Sequence, residues 1–260
     1  MTVIEAIILG FIQGLAEFLP VSSSGHLMVF HRLLGINMEA NDNLTFIVVL
    51  NLGTLLPLLF IFRKDIITLI RRPLQKTVGY LVVATLPLII VTLLFEDFIE
   101  GLFRSTQFLA IGFFITGIVL ILSDRITNNH KKIAEMELKD PIAIGLAQAV
   151  AVIPGISRSG STISVALLRK LNREEAAKFS FLMSVPASFG ALIFRIIRVF
   201  TGHIQLADLN FLNLFVGFAA AAISGYLSIN FMMTLIKKAK LKYFALFYVF
   251  GLAILILILF

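Results

Sequence analysis

Gln13 and Glu17 stand four residues apart, Ser22, Ser23, Ser24, Gly25 and His26 follow as an unbroken run, and Ser157, Arg158, Ser159 and Gly160 form a second polar run far along the chain. Residues four apart share one face of a helix, so Gln13 and Glu17 can converge on a single ligand. A charged side chain at membrane depth costs about 2.5 to 3.5 kcal/mol on insertion scales unless it is solvated or paired, which makes Glu17 a functional signal. The bland alternative is a buried ion pair between Glu17 and Arg158. An imidazole beside hydroxyls, as at His26, is the composition that nucleophilic or acid–base catalysis requires. The Arg158 guanidinium offers forked donors to phosphate oxygens, its flanking serines add hydroxyls, and a helix starting near Ser159 would point free amides at an anion. Ser22 to Gly25 repeat that arrangement without the arginine. A carboxylate, a histidine, several hydroxyls and an arginine suit attack on an electrophile bearing negative oxygens, and phosphate fits best.

The two polar runs are copies. Gly10, Gln13, Ser22, Ser24 and Gly25 recur as Gly145, Gln148, Ser157, Ser159 and Gly160, each pair 135 residues apart. They lie in a chain of mean hydropathy +1.00 with 59% hydrophobic and 14% charged residues, which excludes an ordinary soluble domain. An all-α polytopic membrane protein is expected, forming one integral membrane domain over residues 1–260. Apolar runs at Leu44–Phe62, Gly79–Phe95, Gln107–Leu122, Phe179–Ile197, Phe211–Ile236 and Tyr243–Phe260 predict six transmembrane helices. Pro20 and Pro154 interrupt the runs around the repeated motifs, so each copy reads as a re-entrant helix-loop-helix hairpin, which must be covered by protein or line a cavity. The absence of cysteine removes disulfide and thiol chemistry. The N-terminus shows neither a basic n-region nor a cleavage site, so the first helix is expected to stay.

The net charge of +7 sits mostly in loops, where it reports orientation and points to no nucleic-acid partner. Arg63, Lys64, Arg71, Arg72 and Lys76 place one connection in the cytoplasm, as do Arg125, Lys131, Lys132 and Lys139 in a second and the lysines of Lys237–Lys242 in a third. The acidic stretch Glu96–Arg104, with Glu96, Asp97 and Glu100, belongs outside; Arg195 and Arg198 sit against the trend. Three spans after each hairpin invert the second half, giving an inverted-topology repeat with halves of about 1–125 and 140–260 and a site where the hairpins meet. Asn51, Thr54, Ser184 and Ser188 are candidates to line the same cavity. His31 reads as interfacial, and His130 and His203 as loop residues. Asn172 and Glu175 form a capping-box pattern, and the small residues Gly217, Ala219–Ala222, Ser224 and Gly225 read as helix packing.

At these residues the chain resembles the undecaprenyl pyrophosphate phosphatase, or bacitracin resistance protein, family. Gln13–His26 is similar to its first motif, (Glu/Gln)-x-x-x-Glu followed by Pro-x-Ser-Ser-(Ser/Thr)-Gly-His, and Pro154–Gly160 to its second; the likeness covers essentially the whole chain. The resemblance implies removal of the terminal phosphate of undecaprenyl diphosphate, recycling the lipid carrier for peptidoglycan in a bacterial plasma membrane, with the active site on the outer side. It implies Glu17, Ser23, His26 and Arg158 as catalytic, with Gln13, Ser22, Ser24, Gly25, Ser157, Ser159 and Gly160 around the substrate. It also implies a divalent cation, magnesium or calcium, with Glu17 as ligand. Gln13 stands where some members have glutamate, so a metal bridged by two glutamates is not assumed. Ser23, His26 and water all remain candidate nucleophiles. Besides the prenyl diphosphate and membrane lipids, a homodimer is an allowed partner state. Inverted repeats with broken helices are also the hallmark of secondary transporters, so a carrier or flippase of a phosphorylated prenyl lipid is the competing class.

Overall fold

Thr2 opens the first helix with a reciprocal cap: its hydroxyl accepts from the Glu5 amide at 3.3 Å, and Glu5 accepts from the Thr2 amide at 2.8 Å. That helix, α1 (Val3–Phe18), ends just before Pro20, which cannot continue it. In this computed structural model the described residues are 1–36, 40–102, 106–126, 129–201, 210–238 and 241–259. Among them the chain is helical, with one isolated bridge between Lys131 and Leu171 and no strand.

α2 (Ser23–Leu33) completes a helix-loop-helix unit, followed by α3 (Ala40–Ile61), α4 (Arg63–Arg71), α5 (Lys76–Leu94), α6 (Glu96–Leu102) and α7 (Thr106–Ser123). A second unit, α8 (Lys139–Val150) and α9 (Arg158–Leu168), precedes α10 (Arg173–Phe200) and α11 (Phe211–Lys238). In the last stretch α12 (Lys242–Phe244) passes through a π-helical turn at Ala245–Val249 into α13 (Phe250–Leu259). Moved along by the 135-residue offset, α3, α5 and α7 fall on α10, α11 and this last stretch.

Among the described residues three helices are long and apolar enough to cross a membrane: Lys76–Leu94, Arg173–Phe200 and Phe211–Lys237. The pair Thr45–Ile61 and Arg63–Arg71 makes a fourth if it counts as one span, but it bends by 83° where α3 gives way to α4. Gln107–Ser123 is apolar and shorter, at the lower edge of the ~17–25 residues that a span needs. The chain is thus a helical protein of membrane character, with several apolar helices presenting Leu, Ile and Phe outward.

The packing is reciprocal between the halves. α1 lies against α11, so closely that a Cβ on Gly10 would collide with the Gly217 carbonyl and one on Gly14 with the Ser224 hydroxyl and Ala221 carbonyl. α8 lies in the same way against α5, where a Cβ on Gly145 would come within 2.6 Å of the Ala84 oxygen. The small residues of α11 therefore do serve helix packing, which is how apolar helices approach where the surroundings are as apolar as they are. Between the units Phe181 of α10 meets Phe18 edge-on at 5.4 Å and Phe62 at 6.3 Å, fixing the end of α1 against the centre of the molecule.

Two buried carboxylates anchor helix ends, Asp140 in the second unit and Asp124 between the starts of α10 and α12. Asp140 accepts from Lys131 at 2.8 Å, Arg169 at 2.7 Å and the Glu137 amide at 2.9 Å. Asp124 accepts from Arg173 and from the Lys242 amide, both at 2.6 Å. The capping box expected at Asn172 is half formed. Asn172 caps the Glu175 amide at 2.9 Å, but the Glu175 carboxylate turns away to the Ile133 amide at 3.0 Å, because the Asn172 amide is already bonded to the Lys131 carbonyl. Arg104, His203, Lys240 and Phe260, and the side chains of Glu96, Asp97, Glu100, Arg195 and Lys238, lie outside the described residues.

Candidate functional site

The loop after α1 and the loop after α8 each hand over to a short helix through a serine. Ser22 caps α2 by accepting from the Gly25 amide at 3.4 Å, and Ser157 caps α9 by accepting from the Gly160 amide at 3.0 Å. Within each copy the paired hydroxyls stand side by side, Ser22 and Ser24 at 3.4 Å, Ser157 and Ser159 at 3.3 Å. The copies differ in one respect of backbone: Ser22 sits at φ +66°, a conformation costly for a side-chain-bearing residue, whereas Ser157 is extended. Such strain is found where the surrounding structure over-determines a position.

The two loops touch. Ser159 donates to the Leu19 carbonyl at 2.8 Å, and a Cβ on Gly160 would meet Pro20 at 3.4 Å. Ser23 and Arg158, the first residues of α2 and α9, hold equivalent places in the repeat, and both reach Glu17. The Ser23 hydroxyl donates to Glu17 Oε2 at 2.7 Å, and Arg158 Nη2 pairs with Glu17 Oε1. Gln13 donates to Oε2 at 2.9 Å from one turn earlier and also to Asn51 Oδ1 of α3 at 2.6 Å. The Glu17 carboxylate is thus the meeting point of both halves, and it stays partly open at its edge.

His26, one turn on from Ser23 along α2, is buried. Its Nδ1 lies 2.7 Å from the Ser22 carbonyl, and since a carbonyl can only accept, that nitrogen carries the proton and Nε2 the lone pair in the neutral ring. Phe113 of α7 meets the imidazole edge-on at 5.7 Å and leaves no room for a Cβ on Gly25, so the ring orientation is fixed by packing as well.

The expected site residues therefore lie at and beside the two facing loops, on the end of α1 and the starts of α2 and α9: Gln13, Glu17, Ser23 and Arg158 in one hydrogen-bonded group, with Ser22, Ser24, Gly25, His26, Ser157, Ser159 and Gly160 on the same segments. Of the four cavity candidates only Asn51 joins the group. Thr54 and Ser184 donate to carbonyls of their own helices, at 2.7 and 2.6 Å. His31, expected at an interface, is buried, and its Nε2 has no hydrogen-bond partner among the described residues. Thr116 escaped notice in the sequence. It accepts from the Ser157 amide at 2.9 Å and donates to the Gly155 carbonyl at 3.1 Å, holding the Arg158 loop against α7. A hydroxyl in the middle of an apolar run was the available signal.

No group of three or more acidic or histidine side chains that could hold a metal occurs among the described residues. Glu17, the carboxylate of this centre among the described residues, already accepts from the Ser23 hydroxyl, the Gln13 amide nitrogen and the Arg158 guanidinium. That set does not form a closed protein cage, and Glu17 could serve a hard cation such as magnesium only where phosphate oxygens complete the coordination and draw Arg158 away.

Residues 6–255 match the family model described as bacitracin resistance protein BacA. The chain belongs to this family. An undecaprenyl-diphosphatase of Carboxydothermus hydrogenoformans is 42% identical over 259 residues, covering 100% of this chain and 98% of that protein. Undecaprenyl-diphosphatase 3 of Bacillus cereus is 43% identical over 257 residues, 99% of this chain and 97% of that one. An undecaprenyl-diphosphatase of Methanobrevibacter smithii is 40% identical over 266 residues, 94% and 93% of the two. The chain spans nearly the whole length of these relatives, and its two polar loops lie within the matched residues.

Proposed function

We propose that the chain hydrolyses undecaprenyl diphosphate to undecaprenyl phosphate and inorganic phosphate. The observation that carries this reading is the convergence of Ser23 and Arg158 on the two oxygens of Glu17, in a chain whose full-length relatives are named for that activity. The diphosphate enters between the loops. There Arg158 exchanges part of its pairing with Glu17 for phosphate oxygens, and the capped N-termini of α2 and α9 offer amides and hydroxyls. Ser23 Oγ, already donating to Glu17, is placed to give up its proton to Oε2 while attacking the terminal phosphorus. The bond from phosphorus to the bridging oxygen breaks, and the prenyl monophosphate leaves with its electrons. Water then attacks the seryl phosphate, losing a proton to His26 Nε2; the bond from phosphorus to Ser23 Oγ breaks, Glu17 returns its proton to that oxygen, and His26 gives its proton up to solvent as inorganic phosphate leaves. A magnesium or calcium ion held by Glu17 and the diphosphate would neutralise phosphate charge when bound.

The finer architecture belongs to the same proposal. Six spans and two re-entrant hairpins in inverted halves, about 1–125 and 140–260, bring the loops together near the midplane of a bacterial plasma membrane. The basic connections at Arg63–Lys76 and Arg125–Lys139 face the cytoplasm. The first hairpin then opens outward, so the carrier lipid is regenerated on the outer side for peptidoglycan assembly. Reciprocal packing of α1 on α11 and α8 on α5 also suits a transporter of the same lipid, and one experiment separates the two. Phosphate release from a prenyl diphosphate is measured on detergent-purified protein, wild type and Ser23→Ala, with and without EDTA. Release that falls about a thousandfold in Ser23→Ala, while the variant still binds prenyl phosphate, supports the hydrolase. No release from folded wild type that binds the lipid would favour transport.

A further inference from the structure

α4 leaves the end of α3 at 83°, so if α3 stands across the bilayer, as in the proposal above, α4 lies along its surface. Ile66 and Leu69 face inward and pack on the core. At about 100° per residue the next side of the helix carries Ile67 and Ile70, and these are 46% and 71% exposed, with Leu74 just beyond the helix at 99%. Lys64 and Arg71 flank that apolar strip, and Arg72 and Lys76 continue the positive edge, all four exposed. No described acidic side chain pairs with any of these four. The one carboxylate on the helix, Asp65, is occupied by Lys178 of α10 at 2.6 Å, which also pins α4 to the body of the protein. Arg63 is likewise committed, donating to the Phe60 carbonyl at 2.9 Å and lying over the Phe60 ring.

A surface helix with an exposed apolar strip bordered by unpaired cations is stable in water only at the cost of exposing that strip. Seated in the headgroup layer, the isoleucines enter the acyl boundary and the cations meet lipid phosphates. We infer that α4 and the following turn form an interfacial docking surface for anionic phospholipid, built from Ile67, Ile70 and Leu74 below and Lys64, Arg71, Arg72 and Lys76 at headgroup level. The positive charge is concentrated on α4, the turn after it and the first residue of α5, which selects anionic over zwitterionic headgroups. Each basic side chain near an anionic surface is worth on the order of fivefold in binding.

The test uses the full chain, whose lack of cysteine allows single labels in an otherwise native protein. Nitroxide-labelled Ile70→Cys and Leu74→Cys, reconstituted in phosphatidylglycerol vesicles, should be relaxed by oxygen in preference to a water-soluble nickel chelate. In detergent, added phosphatidylglycerol should raise the unfolding temperature more than phosphatidylcholine does, and the difference should fade in high salt. In a Lys64→Gln, Arg71→Gln, Arg72→Gln, Lys76→Gln variant, the phosphatidylglycerol concentration giving half the shift should rise by more than about tenfold. A Lys64→Arg, Lys76→Arg variant, which keeps the charge, should behave as wild type. Labels exposed to the nickel chelate, or equal shifts by both lipids, would overturn the inference. Phosphate release in lipid-free detergent should be unchanged in the glutamine variant. Its absence in wild type would count against the hydrolase and leave the docking surface standing.

Discussion

At the level of single residues, the centre depends on how Glu17 is held. Arg158→Lys keeps the charge but loses the fork that can serve a carboxylate and a phosphate together, so kcat/KM for a prenyl diphosphate should fall by about a hundredfold. Steady-state phosphate release measures this, and an unchanged value would show that charge alone matters. Asn51 acts one step further out, since its Oδ1 takes one amide hydrogen of Gln13 while the other goes to Glu17. Asn51→Leu leaves Gln13 half satisfied, and with about 1–3 kcal/mol at stake kcat should fall roughly tenfold or more with KM little changed. Recovery in Asn51→Asp, which can still accept, would separate positioning from packing. Glu17 and Arg158 stood out in the sequence because charged groups in an apolar chain announce themselves by their cost, whereas Ser23 was singled out by the family resemblance alone. Asn51 was visible only as a candidate, and Thr116 not at all, because a helical hydroxyl can always bond its own backbone. Which ones reach across is decided by packing.

At the level of elements, the hairpins are held by the opposite half through backbone-close contacts. Gly10→Val would drive a side chain into the Gly217 carbonyl, and overpacking of this kind costs about 1–3 kcal/mol. The detergent unfolding temperature should drop, and Gly145→Val should drop it comparably because Gly145 meets α5 in the equivalent way. A drop in only one of the two would argue that the two interfaces do unequal work. The repeat and its glycines were plain in the chain, and so were the helical runs. The 83° turn into α4 was not, because the apolar run ending at Phe62 passes into basic residues that read equally well as a loop. The amphipathic spacing of Ile66, Ile67, Leu69 and Ile70 was the overlooked sign.

For the molecule as a whole, Asp140 at the mouth of the second hairpin sets an acid limit. Complete burial would by itself raise its carboxyl, but hydrogen bonds from Lys131, the Glu137 amide and Arg169 outweigh burial and hold it below the ordinary carboxylate value. With the folded value depressed, the unfolded chain binds the proton more readily. The contribution is therefore present above about pH 4 and is lost as pH falls through the folded value. Thermal unfolding between pH 7 and pH 3 should show this loss in wild type, whereas Asp140→Asn should be less stable at pH 7 by on the order of 3 kcal/mol and flatter with pH. Above this anchor, Ser23 and Arg158 clasp one carboxylate from equivalent places in a doubled chain. Two identical copies would put the same group at both places, two hydroxyls or two guanidiniums, and could not make this centre. On the proposed mechanism, the division of labour between nucleophile and cation therefore depends on the two copies differing at this one position.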